Sequence, residues 1–317
     1  INENGFHIKN KYDKILWNNK REIDFQEIHP SLMEKGFKIV DVDKDGINEV
    51  LFIESSIRKV ILFNKSGKPI WEYIFKFPGL SKNGVFFSDN FVPHSIVDIC
   101  TKESKIIAVI YYQHTPYYPN PVIKLDLTTG TRIEDIFWHS GALRGGIIYD
   151  IDNDGKDEVI LSGIHNGLKS AVLCSIELDK LKGQSPSREN YYLDGIEIAD
   201  VEHYIKLPKP DILVNTSSPF PTTFGGPMID LKDSLLSVLL VNENNLENYR
   251  VAVRIDFDFD LKFKEIIIND GFRYERDKLV KEGKLDYPLT SSEEYHQILL
   301  NQIEYWDGEK FVKFSNP

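Results

Sequence analysis

The chain has 317 residues, of which 41% are hydrophobic and 12% aromatic, and its formal net charge is −11. This composition indicates a folded protein rather than a disordered one, and the negative charge argues against nucleic acid as a partner. No apolar run approaches the roughly 20 residues that span a bilayer, so we expect no membrane insertion by this segment. The sequence begins at Ile1 without a signal peptide or an initiating Met, and we expect it to be a segment of a longer protein.

Short strands separated by turns are the predicted elements along most of the chain. Runs of β-branched and aromatic residues, bounded by Gly, Asn, Asp and Ser, favour strands over helices. The first unit of two hairpins has strands at 37–41, 49–54, 60–63 and 70–73, and the second has strands at 95–97, 106–110, 122–125 and 136–138. A third unit runs from 146 to about 192, a fourth begins at 196 and includes 212–214 and 235–240, and a fifth begins near 253.

Two acidic loops join strand-like runs at matching places in this pattern. The first acidic loop, 41–49, reads DVDKDGINE, and the second acidic loop, 150–158, reads DIDNDGKDE. Carboxylates at alternate positions surround a hard cation with oxygen ligands, the seventh position adds a backbone carbonyl, and Gly at the sixth permits a sharp turn. We therefore predict a structural calcium ion at each loop. The expected ligands are Asp41, Asp43, Asp45, Glu49 and the Ile47 carbonyl at the first loop, and Asp150, Asp152, Asp154, Glu158 and the Lys156 carbonyl at the second.

The loops differ from an EF-hand, which has a bidentate Glu where these loops have Phe52 and Leu161, and which has helices as flanks. The pattern strand–DxDxDGxxE–strand resembles the FG-GAP/VCBS repeat of integrin-α-like β-propellers, whose loop joins the first two strands of a blade. The resemblance implies a propeller fold and a bound metal, but no activity. The alternative is that both loops are acidic turns that only keep the hairpins soluble. A further acidic run at Asp256 lacks the Gly, and we expect it to be a hairpin whose acids face water.

The repeat of about 50 residues with four short strands is the size of a propeller blade. We predict an all-β fold, a β-propeller of four-stranded blades, as a single domain over 1–317. Five blades fit best, and six or seven stay open because the C-terminal part is irregular. The N-terminal strand at 14–18 is expected to close the ring by joining the C-terminal blade. An irregular insertion at about 273–297 is expected to be partly helical, with short helices at 273–283 and 291–300.

Long loops on the face opposite the acidic loops carry aromatic, His and Arg side chains. Long loops on a rigid scaffold usually serve binding, and such side chains suit a carbohydrate, a peptide or a protein ligand. The candidate ligand-binding residues are Tyr112, His114, Tyr117, Tyr118, His139, Arg144, Phe220 and Phe224. The alternative is that these aromatic side chains only pack against one another and hold the loops in place.

These features predict a calcium-stabilised module that binds or senses a ligand, or that contacts another protein. Calcium at millimolar concentration is available outside the cytosol, so we expect a periplasmic, cell-surface or secreted location, or the sensor region of a larger membrane-anchored protein. The alternative is a propeller enzyme that acts on carbohydrate, lyase or glycosidase-like, through Tyr, His and Arg. Few acids lie in the long loops, which argues against a two-carboxylate glycosidase. We therefore favour a binding module over an enzyme.

Overall fold

Strands make up most of the regular structure in a computed structural model of the chain. The structure describes residues 6–9, 15–19, 36–115, 118–214, 220–242 and 250–314. The chain divides into two compact units, of which unit 1 comprises Ile1–Ser81 and Val85–Ile136, and unit 2 comprises Lys82–Gly84 and Phe137–Pro317. The chain is thus mostly β, as predicted, and its strands belong to several sheets.

The strands are numbered β1 to β24 in chain order. The first twelve are β1 Phe6–Lys9, β2 Ile15–Asn19, β3 Phe37–Val40, β4 Glu49–Glu54, β5 Lys59–Phe63, β6 Pro69–Tyr73, β7 Ser81–Lys82, β8 Val85–Phe86, β9 Phe91–Lys102, β10 Lys105–His114, β11 Asn120–Asp126 and β12 Thr131–His139. The other twelve are β13 Leu143–Tyr149, β14 Glu158–His165, β15 Ser170–Glu177, β16 Gly183–Gln184, β17 His203–Lys206, β18 Thr222–Thr223, β19 Met228–Asp230, β20 Leu235–Val241, β21 Val253–Asp258, β22 Phe263–Ile268, β23 Glu304–Trp306 and β24 Phe311–Lys313.

Strands β3 to β6 of unit 1 form a four-stranded antiparallel sheet in chain order, in agreement with the predicted first unit. Apolar side chains of the two central strands, Val50, Ile61 and Phe63, form a buried cluster. The ladder between β3 and β4 begins with Val40 opposite Glu49. This register closes the first acidic loop at its base, because the residue before the loop pairs with the last residue of the loop.

Strands β9 to β12 are successive neighbours in the next sheet, whose fifth strand, β16, is parallel to β12. Strands β9 and β10 are longer than the sequence pattern predicts. The turn between them places Glu103 and Ser104 at positive φ, so β10 can pair with β9 as far as His114 opposite Phe91. The strand predicted at 106–110 is therefore too short, and the expectation that Tyr112 and His114 lie on a long loop is wrong. Residues 111–114 complete a strand, because their backbone groups are paired with β9.

Unit 2 contains a six-stranded sheet with the order β13–β14–β15–β17–β23–β24. Its first hairpin begins with Tyr149 opposite Glu158, the same register that closes the first acidic loop. The fourth strand of this sheet is β17, so the predicted fourth unit, with a first strand at 196–200, is wrong. Residues 212–214, also predicted as a strand, lie in and after a short 3-10 helix at Asp211–Leu213.

A second sheet of unit 2 contains β18, β20, β21 and β22, with β19 paired to β20. The predicted fourth and fifth units therefore contribute one sheet rather than two. Asp256 on β21 is fully buried, where it accepts a hydrogen bond from Ser237 and pairs with Arg254. The expectation that its carboxylate faces water is wrong, because Ser237 and Arg254 on the same sheet donate hydrogen bonds to it.

Two helices follow these strands, Asp270–Lys281 and Glu293–Leu300, close to the two predicted helical ranges. The second begins at an N-cap, Ser292, whose side chain accepts a hydrogen bond from the Tyr295 N–H. Phe272, Tyr295 and Leu299 on the helices join the buried core of unit 2 together with side chains of both sheets. Among the described residues, no helix combines the length and apolar character needed to cross a membrane.

The N-terminal strand is present as β2, but its ladder differs from the prediction. β2 pairs with β1 in an antiparallel hairpin that forms a sheet of two strands. At the other end of the chain, β23 and β24 fill the outer positions beside β17. The predicted addition of the N-terminal strand to the C-terminal sheet is thus replaced by a local hairpin.

Candidate metal centres

The two acidic loops fold in the same way. In each loop the carboxylate at position 1 accepts a hydrogen bond from the Gly N–H at position 6, at 2.9 Å for Gly46 and 3.1 Å for Gly155. The carboxylate at position 5 accepts from the N–H at position 7, and the Glu at position 9 accepts from the N–H at position 2. Both Gly residues have positive φ, at 82° and 87°. The shared sequence pattern therefore produces a shared backbone turn.

The first acidic loop brings three of its predicted ligands together. Carboxylate oxygens of Asp41, Asp43 and Asp45 lie within 4.8 Å of one another. Glu49 is buried, and its Oε2 accepts a hydrogen bond from the Val42 N–H at 2.9 Å. Three exposed or half-buried carboxylates thus converge, and the fourth predicted carboxylate ligand, Glu49, is not one of the three.

The second acidic loop brings together a different trio, Asp150, Asp152 and Glu158, again within 4.8 Å. Glu158 is fully buried, and its Oε2 accepts a hydrogen bond from the Ile151 N–H at 2.8 Å. Its other oxygen, Oε1, and the Oδ1 atom of Asp150 are also buried, and neither has a hydrogen-bond partner among the described residues. Two residues of the trio therefore each have a buried carboxylate oxygen without a hydrogen-bond partner among the described residues.

Burial, together with the negative charges of Glu202, Asp152 and Asp150, raises the pKa of Glu158 to about 7, although the hydrogen bond from Ile151 lowers it. Each of these carboxylates disfavours the ionised form of the others. A cation among them would reverse this effect, because it would replace repulsion with attraction.

Position 5 distinguishes the second loop from the first. The Asp154 carboxylate forms an ion pair with Lys156, at 3.1 Å, and Lys156 also pairs with Glu177, at 3.3 Å. The hydrogen bond from Lys156 lowers the pKa of Asp154. Asp154 is the predicted second-loop ligand that the structure leaves outside the converging trio, because its carboxylate already has a lysine partner.

The donor atoms in both clusters are carboxylate oxygens, the ligand type that hard divalent cations such as Ca²⁺ require. The second loop also has buried oxygens without hydrogen-bond partners, which is unfavourable unless they bind something else. A cation there would satisfy them. The residues present therefore fit the calcium ion that the FG-GAP resemblance implies.

The candidate ligand residues of unit 1 are largely buried. Tyr112 and His114 are 0% and 2% exposed, because both lie on β10 rather than on a loop. His114 has a ring nitrogen 2.9 Å from the Ser88 carbonyl, and its ring packs edge-on against Phe91. These two side chains belong to the core of unit 1, which corrects the expectation that they contact a ligand. Tyr118 is half-buried, and Tyr117 lies outside the described residues.

In unit 2, His139 is 1% exposed at the end of β12, with a ring nitrogen 3.3 Å from the Tyr204 hydroxyl. Its ring also packs against His165. His139 is therefore a core residue, which corrects its predicted role in ligand binding. Arg144 is half-buried, and its Nε donates a hydrogen bond to the Thr222 hydroxyl at 3.0 Å. The two remaining candidates, Phe220 and Phe224, are half-buried.

Glu202 is an acidic neighbour of the second loop that the sequence reading did not include. It lies just before β17, and its carboxylate accepts a hydrogen bond from Ser175 on β15. The nine-residue motif carries no signal for it, because only the pairing of β15 with β17 brings the segment of Glu202 beside Ser175.

No family model matches the chain, and no curated protein sequence does either. Among solved structures, the chain is similar to a protein of unknown function from Bacteroides caccae, at 10% identity and a TM-score of 0.30, over 84% of this chain and 90% of that one. It is also similar to a member of the DUF4221 family from Bacteroides vulgatus, at 14% identity and a TM-score of 0.33, over 82% of this chain and 73% of that one.

Proposed function

We propose that the protein is a calcium-stabilised, extracytoplasmic β-propeller that acts as a ligand-binding, sensory or protein-interaction module. The observation that carries the proposal is the pair of acidic loops, which have one sequence pattern, one backbone turn and converging carboxylates. Such a repeated arrangement is expected of a cation site.

The calcium ions would be structural. At the second loop, Asp150, Asp152 and Glu158 would hold the ion, with Asp154 joining them once it exchanges Lys156 for calcium. At the first loop the corresponding carboxylates are Asp41, Asp43, Asp45 and Glu49. When bound, each ion would supply the positive charge that lets the carboxylates remain ionised side by side. Each loop would then fix the hairpin that it closes, β3–β4 or β13–β14.

The propeller part of the proposal is supported by sheets built from strands that are neighbours in the chain. β3 to β6 and β9 to β12 are such sheets in unit 1. In unit 2, β13, β14, β15 and β17 follow in order, as do β20, β21 and β22. Antiparallel sheets of about four sequential strands are the building blocks of propeller blades.

Four of the predicted ligand-binding residues are half-buried and remain candidates for the proposed ligand-binding role. Tyr118 in unit 1, and Arg144, Phe220 and Phe224 in unit 2, keep part of their surface accessible. Such residues suit a carbohydrate, a peptide or a protein partner. The enzyme alternative loses three of its candidate groups, Tyr112, His114 and His139, to core positions, so no observation favours it.

Thermal unfolding in calcium and in chelator tests the metal part of the proposal. A free calcium concentration 100 times the dissociation constant stabilises the folded protein by about 2.7 kcal/mol per site, so the melting temperature should rise by several degrees. Asp152→Ala should remove the part of this rise that comes from the second loop. Asp157→Ala is the matched control, because Asp157 lies in the same loop at a position that the motif does not use as a ligand. Identical melting curves with calcium and with chelator would contradict the proposal.

A glycan array and a peptide library would test the binding role. Replacing Tyr118 or Phe224 with Ala should weaken capture of the ligand found in this way while the melting temperature stays within about 2 °C, because partly exposed side chains contribute little to stability. A loss of stability without a loss of capture would instead assign these rings to loop packing.

A further inference from the structure

We infer that Glu202 supplies a fifth carboxylate to the cation site of the second acidic loop. The inference rests on the proposed calcium site and extends it, because Glu202 lies outside the nine-residue motif. It assigns a cation-binding role to the segment that enters β17.

Strand register places Glu202 at the correct end of the sheet. Glu158 begins β14, two residues before Ile160, which lies opposite Ser175 on β15. Ser175 in turn lies opposite His203 on β17. Residues that face each other across neighbouring strands share one face of the sheet, as do alternate residues of one strand. Glu158 and Ser175 are therefore on the same face. Glu202, the residue before β17, lies at the same end of the sheet.

The Glu202 side chain is held toward that face by Ser175. The Ser175 hydroxyl donates a hydrogen bond to Glu202 Oε2 at 3.1 Å, and the Glu202 N–H donates to the Ser175 carbonyl, also at 3.1 Å. Ser175 is fully buried, so its hydroxyl is a fixed donor rather than one that competes with solvent. The carboxylate is thus oriented by the protein before any ion arrives.

The charges around this carboxylate call for a cation. Burial raises the pKa of both Glu158 and Glu202. The charge of Glu202 also raises the pKa of Glu158, and the charges of Glu177 and Asp152 raise that of Glu202, whereas the Ser175 hydrogen bond and the charge of Lys180 lower it. The nearby Lys156 and Lys180 form ion pairs with other carboxylates. Among the described residues, neither Glu158 nor Glu202 has a Lys or Arg partner.

The unpartnered Glu158 Oε1 atom is the second, independent sign of a ligand. It belongs to a fully buried side chain whose carboxylate lies in the cluster with Asp150 and Asp152. A divalent ion bound there would satisfy this atom and attract Glu202, either directly or through a bound water. Glu202 would then make the second site the more acidic of the two.

Calcium titration calorimetry tests the inference in a background that silences the first loop by Asp43→Asn and Asp45→Asn. Glu202→Gln should weaken calcium binding at the second loop about tenfold, the usual effect of losing a carboxylate around a metal. The same substitution should leave the metal-free protein as stable as before, or more stable, because it removes a like-charge repulsion. A purely structural Glu202 would produce the reverse, a less stable metal-free protein with unchanged affinity.

Asp200→Asn is the matched control. Asp200 lies two residues before Glu202, and its side chain is 78% exposed, so the substitution removes one negative charge from the surface nearby. It should change the affinity by less than about twofold, because exposed charges are screened. Ser175→Ala should weaken binding to a smaller extent than Glu202→Gln. Calcium binding by Glu202→Gln with the affinity of the background protein would overturn the inference but leave the calcium proposal intact. An absence of calcium binding by the unsubstituted protein would overturn both.

Discussion

His139 is a buried base in unit 2, and burial lowers its pKa to about 3. His165, which packs against it, also has a lowered pKa, mainly because of burial. Both side chains are therefore held neutral in the folded protein. In the unfolded chain they are expected to titrate near pH 6.5.

The free energy of unfolding should consequently fall as the pH falls through this range. A base whose folded pKa lies below its unfolded value contributes stability that is complete above the unfolded pKa and is lost as the pH falls toward the folded one. For His139 alone, the loss between pH 7 and pH 4.5 should be about 2 to 3 kcal/mol. Urea unfolding at the two pH values measures it. His139→Leu should flatten the dependence, whereas substitution of the half-buried helical residue His296 by Gln should not.

Arg276 is the buried charge that connects the helical segment to the rest of unit 2. It is 3% exposed, its Nε donates to both carboxylate oxygens of Asp211, and its Nη1 donates to the Pro288 carbonyl at 2.6 Å. The guanidinium also lies 3.7 Å from the ring centre of Tyr295. One side chain thus joins the 3-10 helix at Asp211 to both α-helices.

Arg276→Met should lower the free energy of unfolding by about 3 kcal/mol, because it leaves a partly buried Asp211 without its partner. Chemical denaturation measures the change. Arg273→Met is the matched control on the same helix, where an exposed pair with Asp270 should contribute less than about 0.5 kcal/mol. Equal effects of the two substitutions would contradict a special role for Arg276.

At the scale of the element, the turn between β11 and β12 is a docking point for β6. The Trp71 indole N–H donates a hydrogen bond to the Leu127 carbonyl at 2.8 Å, and the ring lies over Gly130. A Cβ atom at Gly130 would lie 2.5 Å from two ring atoms of Trp71, and the residue has a φ of 70°. Both the backbone conformation and the tryptophan contact therefore require Gly at this position.

Gly130→Ala should destabilise unit 1 by about 1 to 3 kcal/mol more than Gly79→Ala, because the added methyl group collides with the Trp71 ring. Gly79 shares the positive φ, at 89°, and has no atom within 4 Å of an added Cβ, so it isolates the backbone cost. Tryptophan fluorescence during denaturation would measure the difference. Indistinguishable unfolding curves would show that Trp71 does not constrain the turn.

Strand pairs joined by short turns were predictable from the sequence, and the long-range additions to the sheets were not. Alternating apolar runs with turn residues between them locate β3 to β6 within a residue or two. The same local pattern predicted the first strand of a new unit at 196–200, where the structure has only an isolated bridge between Ile198 and Gln184. Instead, β17 pairs with β15, from which it is separated by a long connection. This pairing depends on tertiary packing rather than on the local sequence pattern.

The residues of the candidate site also differ in how far the sequence could predict them. The acidic ligands lie within nine consecutive residues, so their convergence could be predicted from spacing. The burial of Tyr112, His114 and His139 could not be, because it depends on how far β10 and β12 extend. Glu202 was missed for a related reason, since only strand register brings it to the second loop.

For the whole molecule, the central claim is that the two acidic loops bind calcium. Together they place at least six converging carboxylates on a chain that is already strongly negative. Calcium should therefore stabilise the folded chain at both loops, and one loop should remain functional when the other is silenced.

Isothermal titration of chelator-treated protein with calcium is the most direct test of this claim. We predict two bound ions per chain, reduced to one by Asp43→Asn with Asp45→Asn and to one by Asp150→Asn with Asp152→Asn. All four substitutions together should leave no specific binding. A titration that shows no calcium binding by the unsubstituted protein, or the same stoichiometry for all variants, would contradict the claim.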